Sequence, residues 1–153
     1  MKPSLKKHLI AMQRYCAFGE RCKNDIRRKL ENRKVEDKYF ETIIAELEKE
    51  GFINEKRYAS AFCHDKFEFN GWGRLKIRNE LLMKNIPEDF IQMGLKRLKE
   101  PKYSSKIYDL IDKKSAQIEL TSPYEHKAKV ARFLYSRGFE PDIFWPLIKE
   151  VIK

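Results

Sequence analysis

The sequence predicts an all-α protein of three tandem three-helix, helix-turn-helix-like repeats forming an elongated, curved array. Two observations carry that expectation. Residues 26–47, IRRKLENRKVEDKYFETIIAEL, lie over residues 77–98, IRNELLMKNIPEDFIQMGLKRL, at a constant offset of 51, so that Ile26, Leu30, Val35, Tyr39, Ile44 and Leu47 fall on Ile77, Leu81, Ile86, Phe90, Leu95 and Leu98. A further offset of 53 reaches Val130, Leu134, Phe139, Ile143, Ile148 and Val151. An apolar skeleton repeated at a fixed period marks a helical array whose neighbouring units bury each other's faces. The second observation is that no stretch alternates apolar and polar residues as a half-buried strand requires.

Taken in order, each unit opens with a helix, near residues 4–18, 54–69 and 104–118. A middle helix follows, with one narrow apolar face from the i, i+4 pairs Ile26/Leu30, Ile77/Leu81 and Val130/Leu134. A single apolar loop residue (Val35, Ile86, Phe139) then leads to the third helix. Pro87 and Pro141 suit its first turn, and Glu36, Asp37, Glu88, Asp89 and Asp142 set negative charge against the positive end of the helix dipole. The last junction is longer, and Ser122-Pro123-Tyr124-Glu125 reads as a capping box opening the third middle helix. Boundaries near Gly51 and Pro101 divide the chain into units 1–51, 52–101 and 102–153.

The composition agrees with a folded, basic protein. Of 153 residues 37% are charged, yet 42% are hydrophobic and 12% aromatic, enough apolar surface to fold. With 33 Lys and Arg against 23 Asp and Glu, the net charge of +10 points to a polyanionic partner. Arg14 interrupts the N-terminal apolar stretch before it reaches the length of a signal peptide, and no run approaches a membrane span. The expectation is a soluble, cytoplasmic protein without membrane attachment. Cys16, Cys22 and Cys63 are odd in number and lack CxxC spacing, which fits reduced thiols. His8, His64 and His126 are dispersed, and neither a metal set nor a nucleophile, phosphate-loop or paired-carboxylate motif stands out, so neither an enzyme nor a cofactor is expected.

The positive charge is unevenly placed. Residues 21–34, 74–84 and 127–137 hold 15 Lys and Arg against 3 Asp and Glu, a surplus larger than that of the whole chain. The excess therefore lives on the middle helices, in Lys23, Arg27, Arg28, Arg33, Arg74, Lys76, Arg78, Lys84, Lys127, Lys129, Arg132 and Arg137. Two positions are basic in all three copies: Lys23, Arg74 and Lys127 at the start, and Arg33, Lys84 and Arg137 at the end. Cations at a helix C-terminus suit the dipole, so Arg33, Lys84 and Arg137 read equally as dipole partners and as contacts to an anion. Cations at the N-terminus oppose it, so Lys23, Arg74 and Lys127 read as an anion-facing row. The segment NGWGRLKIR adds Gly71 and Gly73, whose backbone allows close approach of an anion to free N–H groups. Trp72 between them reads equally as a base-stacking or interface residue and as a core aromatic.

Residues 53–86, INEKRYASAFCHDKFEFNGWGRLKIRNELLMKNI, resemble the central repeat of RecX, the bacterial regulator of the RecA recombinase. The likeness lies in the Arg-Phe/Tyr-Ala pattern, the glycine before the middle helix and the KIRxEL-x-x-K-x-I ending. RYCAFGERCKNDIRRKLENRKV is similar to the family's opening repeat, and the likeness extends more loosely over the third unit. Cys22 stands where that family often has a capping serine, and Glu55 where aspartate is common. The resemblance implies a modular three-repeat protein lying in the groove of the RecA filament on single-stranded DNA. There it would inhibit ATP hydrolysis and strand exchange, or promote filament disassembly. Gly73, Lys76, Ile77, Arg78, Glu80 and Leu81 match positions the family retains, with Ile77 and Leu81 in the core and Lys76 and Arg78 as contact candidates. The partners implied are the RecA filament and single-stranded DNA, with double-stranded DNA left open, and the expected state is a monomer. Two other readings stand beside this one: a sequence-tolerant DNA-binding regulator of helix-turn-helix-like units, and a protein-binding helical adaptor. Sparse Asn and no Gln on the basic helices disfavour base readout.

Overall fold

The computed structural model describes residues 1–119 and 122–153. Among these it holds nine α-helices, a single 3₁₀ turn at Asp37–Tyr39 and no strand. The helices are α1 (Pro3–Ala17), α2 (Lys23–Asn32), α3 (Phe40–Lys49), α4 (Glu55–Glu68), α5 (Arg74–Met83), α6 (Glu88–Leu95), α7 (Lys102–Gln117), α8 (Pro123–Ser136) and α9 (Pro141–Val151). They pack as triplets, α1–α3, α4–α6 and α7–α9, each helix touching the other two of its triplet.

The middle helices end alike because one apolar side chain after each must turn back onto the core. The backbone N–H groups of Val35, Ile86 and Phe139 donate to the carbonyls of Leu30, Leu81 and Leu134 at 3.1 Å in all three copies. That closure needs a left-handed residue just before it. Lys34 (φ 61°), Asn85 (φ 60°) and Gly138 (φ 94°) occupy this place. The helix starts differ more. Asn54 accepts the Arg57 N–H on α4, and Ser122 accepts the Glu125 N–H on α8, the hydroxyl arm of the expected box. At α2 the Cys22 side chain replaces a capping oxygen, and Asp25 reaches back to the Cys22 N–H at 3.1 Å.

The repeated skeleton is buried with one consistent adjustment. Ile26, Leu30, Ile44 and Leu47, and their counterparts Ile77, Leu81, Leu95, Leu98, Val130, Leu134 and Ile148, lie in the core. At the start of the third helices, however, Tyr39, Phe90 and Ile143 are only half-buried, and the next residues, Phe40, Ile91 and Phe144, point inward. Val151 is likewise exposed and Ile152 buried in its place. The turn entering the third helix sets that phase, and it differs by one residue from the simple repeat.

Two cores result. Met12, Ile26, Leu30, Phe40, Ile43, Ile44 and Leu47 of the first triplet form the first, closed by Ile53 from the link to α4. The second runs without a break from Tyr58 and Cys63 through Ile77, Leu81 and Tyr103 to Phe139 and Ile148, so the second and third triplets share one interior. Tyr103 sits at its centre, stacked on Phe67 with ring centroids 5.6 Å apart and tilted against Phe139 at 5.5 Å. The first triplet joins the second through buried Cys22 and through polar ties: Lys84 to Asp25 at 3.2 Å, Arg57 to Glu20 at 2.6 Å, and the Lys23 N–H to Glu55 at 3.1 Å. Glu55, where the resembled family favours aspartate, thus caps the neighbouring triplet's α2.

Candidate nucleic-acid and filament interface

The Gly71-Trp72-Gly73 segment and the start of α5 form the seam between the second and third triplets, not an open anion site. The Gly73 N–H donates to the Arg137 carbonyl at 2.8 Å, the Leu75 N–H to Gly138 at 2.9 Å, and the Arg74 N–H to the Tyr103 hydroxyl at 3.0 Å. These three N–H groups, at the place where an anion would be drawn, are already satisfied. Gly73 is glycine for a steric reason, since a Cβ there would lie 2.5 Å from the Gly138 carbonyl oxygen. A Cβ on Gly138 would in turn lie 2.3 Å from the Lys76 Cβ.

Arg74 is likewise spent inside the fold. Its guanidinium lies 3.7 Å over the Tyr103 ring, donates to the Leu98 carbonyl at 2.6 Å, and pairs with Glu140 at 2.9 Å. The Tyr103 hydroxyl also donates to Glu140. Burial first, and then the Glu140 carboxylate, hold the phenol far above its ordinary ionisation range. Lys23, the counterpart of Arg74, pairs with Glu48 at 3.5 Å. Lys127 does not belong to this row, because α8 begins one turn earlier than α2 and α5 and places it in the second turn. The three N-terminal cations therefore do not form the uniform row the repeat predicted.

The remaining cations separate into two groups. Arg27 pairs with Glu41 at 3.0 Å, Arg78 with Glu88 at 2.7 Å, and Lys84 with Asp25 as above. By contrast, Arg28, Arg33, Lys76, Lys127, Lys129, Arg132 and Arg137 meet no carboxylate among the described residues. Arg33 donates to the His8 ring at 3.1 Å, and Arg137 donates to the Asn70 carbonyl at 3.1 Å. Desolvation and the nearby Arg33 cation hold His8 below its ordinary pKa. Lys129 and Lys76 occupy equivalent places on α8 and α5, whereas the acidic Asp25 stands there on α2.

Trp72 is half-buried, with Phe62 edge-on at 6.3 Å and two ammonium groups near its face, Lys76 at 4.5 Å and Lys66 at 5.0 Å. Its indole packs against the shared core while the outer face carries these cations. Tyr15 and Phe133 are half-buried rings of the same kind. Arg21 and Lys29 lie 3.9 and 5.1 Å from the Tyr15 centroid, and Lys114 and Arg137 each lie 5.1 Å from that of Phe133. Lys66 and Lys114 lie outside the middle helices, so counting charge there passes over them, and Arg21 enters that count without its ring being noticed. For Lys66, four residues after Phe62, an aromatic residue with a cation one helical turn away was the available signal; Arg21 and Lys114 reach their rings from further along the chain.

Other chemistry is muted. Burial raises all three thiols above their ordinary range, Cys63 to about 11. Among the described residues no three His, Cys, Asp or Glu converge to hold a metal ion, and no helix is long and apolar enough to cross a membrane.

The fold and surface define an all-helical protein of tandem three-helix units with cations left free along it. Comparison with known proteins gives the family. The model described as "RecX, second three-helix domain" matches residues 54–95, and "RecX, third three-helix domain" matches residues 102–148. The regulatory protein RecX of Bacillus cytotoxicus is 26% identical over 137 residues, covering 90% of this chain and 51% of that protein. That of Clostridium beijerinckii is 28% identical over 130 residues, covering 84% and 60%. The chain thus spans about half the length of the curated relatives it matches. A crystal structure of regulatory protein RecX superposes with a TM-score of 0.86 at 22% identity, covering 95% of this chain and 72% of the other. RecX from Lactobacillus salivarius superposes at 0.81 and 23% identity, covering 95% and 94%. This chain belongs to the RecX family, a family of regulatory proteins.

Proposed function

We propose that this chain regulates a RecA-type recombinase negatively, as a cytoplasmic monomer of three units, 1–51, 52–101 and 102–153. It binds in the groove of the recombinase filament on single-stranded DNA and inhibits ATP hydrolysis and strand exchange, or promotes filament disassembly. It acts by binding and not by catalysis. The observation that carries this reading is the tandem of RecX three-helix domains in a chain whose three middle helices each keep cations unspent on carboxylates among the described residues. Repeated weak contacts suit a repeating polymer, because each contact made raises the effective concentration for the next. The free cations Arg28, Arg33, Lys76, Lys127, Lys129, Arg132 and Arg137 are assigned to the partner, and Lys23, Arg27, Arg74, Arg78 and Lys84 to the fold.

Titrating single-stranded-DNA-dependent ATP hydrolysis by a RecA-type recombinase with this protein tests the proposal. Inhibition is expected well below the concentration that coats the DNA alone. Inhibition only at saturation of naked DNA would favour a DNA-binding regulator instead.

A further inference from the structure

The rings of Tyr15, Phe62, Trp72 and Phe133 share a construction that simple core packing does not require. Each buries one side against a core and carries one or two cations near its ring. The cations are Arg21 and Lys29 at Tyr15, Lys66 and Lys76 at the Phe62–Trp72 pair, and Lys114 and Arg137 at Phe133. None of these six is ion-paired among the described residues, whereas five of the middle-helix cations are. Every triplet has one such station.

The stations are also contiguous. Tyr15, Arg21, Phe62 and Lys66 line one cleft of about 450 Å³ between the first and second triplets. The carboxylates in that cleft are mostly engaged, Glu20 by Arg57 at 2.6 Å and Asp25 by Lys84 at 3.2 Å, while Asp65 stands beside His64. Phe62 meets Trp72, and Lys76 over Trp72 abuts Gly138. The preceding Arg137 reaches Asn70 on one side and the Phe133 ring on the other.

We propose that these stations form a track on which the bases of a single nucleic-acid strand stack while its phosphates take up the ring-bound cations. This rests on the regulatory reading only in taking nucleic acid as the partner. A flat base offers a ring face what the cation now offers, and stacking tolerates any sequence. The displaced ammonium or guanidinium then lies beside the phosphate of the same nucleotide. A duplex cannot use the rings, because its base faces are occupied. An acidic protein surface would use the cations and leave the rings wet.

The test compares a thymidine oligonucleotide with an abasic oligonucleotide of the same length, by anisotropy with labelled strands. The thymidine strand should bind more tightly by about 5- to 100-fold, and Trp72 emission, isolated with Trp145→Phe, should be quenched by that strand alone. Tyr15→Ala should lower affinity for the thymidine strand and leave the abasic strand unaffected, with helicity and Tm checked alongside. Equal affinity for the two strands, or displacement by poly-glutamate as readily as by the thymidine strand, would overturn the track. Recombinase ATPase inhibition measured on the same samples separates the two ideas. Inhibition without base-dependent binding removes the track alone, and base-dependent binding without inhibition upholds the track and removes the regulatory reading.

Discussion

Arg74 and Glu140 meet at 2.9 Å across the seam between the second and third triplets, with the Tyr103 ring beneath the guanidinium. Only 26% and 18% of these two side chains remain exposed, so solvent screens the pair little. Arg74→Ala leaves Glu140 without its cation and the Leu98 carbonyl without its donor. The expected cost is about 3 kcal/mol, a fall in Tm of about 6–12 °C. Arg27→Ala breaks the exposed pair to Glu41 and should cost no more than about 1 kcal/mol. Differential scanning calorimetry of both variants checks the contrast, and equal losses would contradict it.

The residues closing the middle helices give effects of opposite sign. Gly138→Ala adds a Cβ 2.3 Å from the Lys76 Cβ, at φ 94°, and should lower Tm sharply. Lys34→Gly and Asn85→Gly relieve a left-handed conformation at φ 61° and 60° and should each stabilise by about 0.5–1 kcal/mol. Urea midpoints at constant m-value measure both.

Stability should also carry a signature of His8. Because its folded pKa lies below its ordinary 6.5, the folded state favours the neutral ring that accepts the Arg33 N–H. The contribution is present above pH 6.5 and is lost as pH falls through the lowered folded value. The His8 ring resonance, followed by NMR, should titrate below 6.5, and His8→Gln should flatten that part of the stability profile. Titration above 6.5 would contradict the arrangement.

How far the molecule was legible follows from the range of the forces involved. Ile26/Leu30, Ile77/Leu81 and Val130/Leu134 announced their helices because burial imposes i, i+4 spacing within a few residues. The choice of Phe40, Ile91 and Phe144 over their neighbours Tyr39, Phe90 and Ile143 was hidden, since both residues of each pair are apolar and the preceding turn sets the phase. Charge could be counted but its use could not. Arg74 finds Glu140 66 residues away, and Lys84 finds Asp25 59 residues away, so an apparent row of anion-binding cations includes residues that join triplets. Gly73 looked like an opening for an anion, yet its reason is Gly138, in the next repeat.

Unpaired cations, and not those engaged in ion pairs, are expected to meet the partner. Lys76→Gln with Lys129→Gln is to be compared with Arg27→Gln with Arg78→Gln, two double variants that lose the same charge. The measurement is the midpoint of recombinase ATPase inhibition, with the salt slope of single-strand binding beside it. The first double variant should raise the midpoint about tenfold and reduce the log-log salt slope by about 1.4, the value for two phosphate contacts on single strands. The second should leave both nearly unchanged. Equal effects from the two would mean that net charge alone governs binding, and would contradict the account.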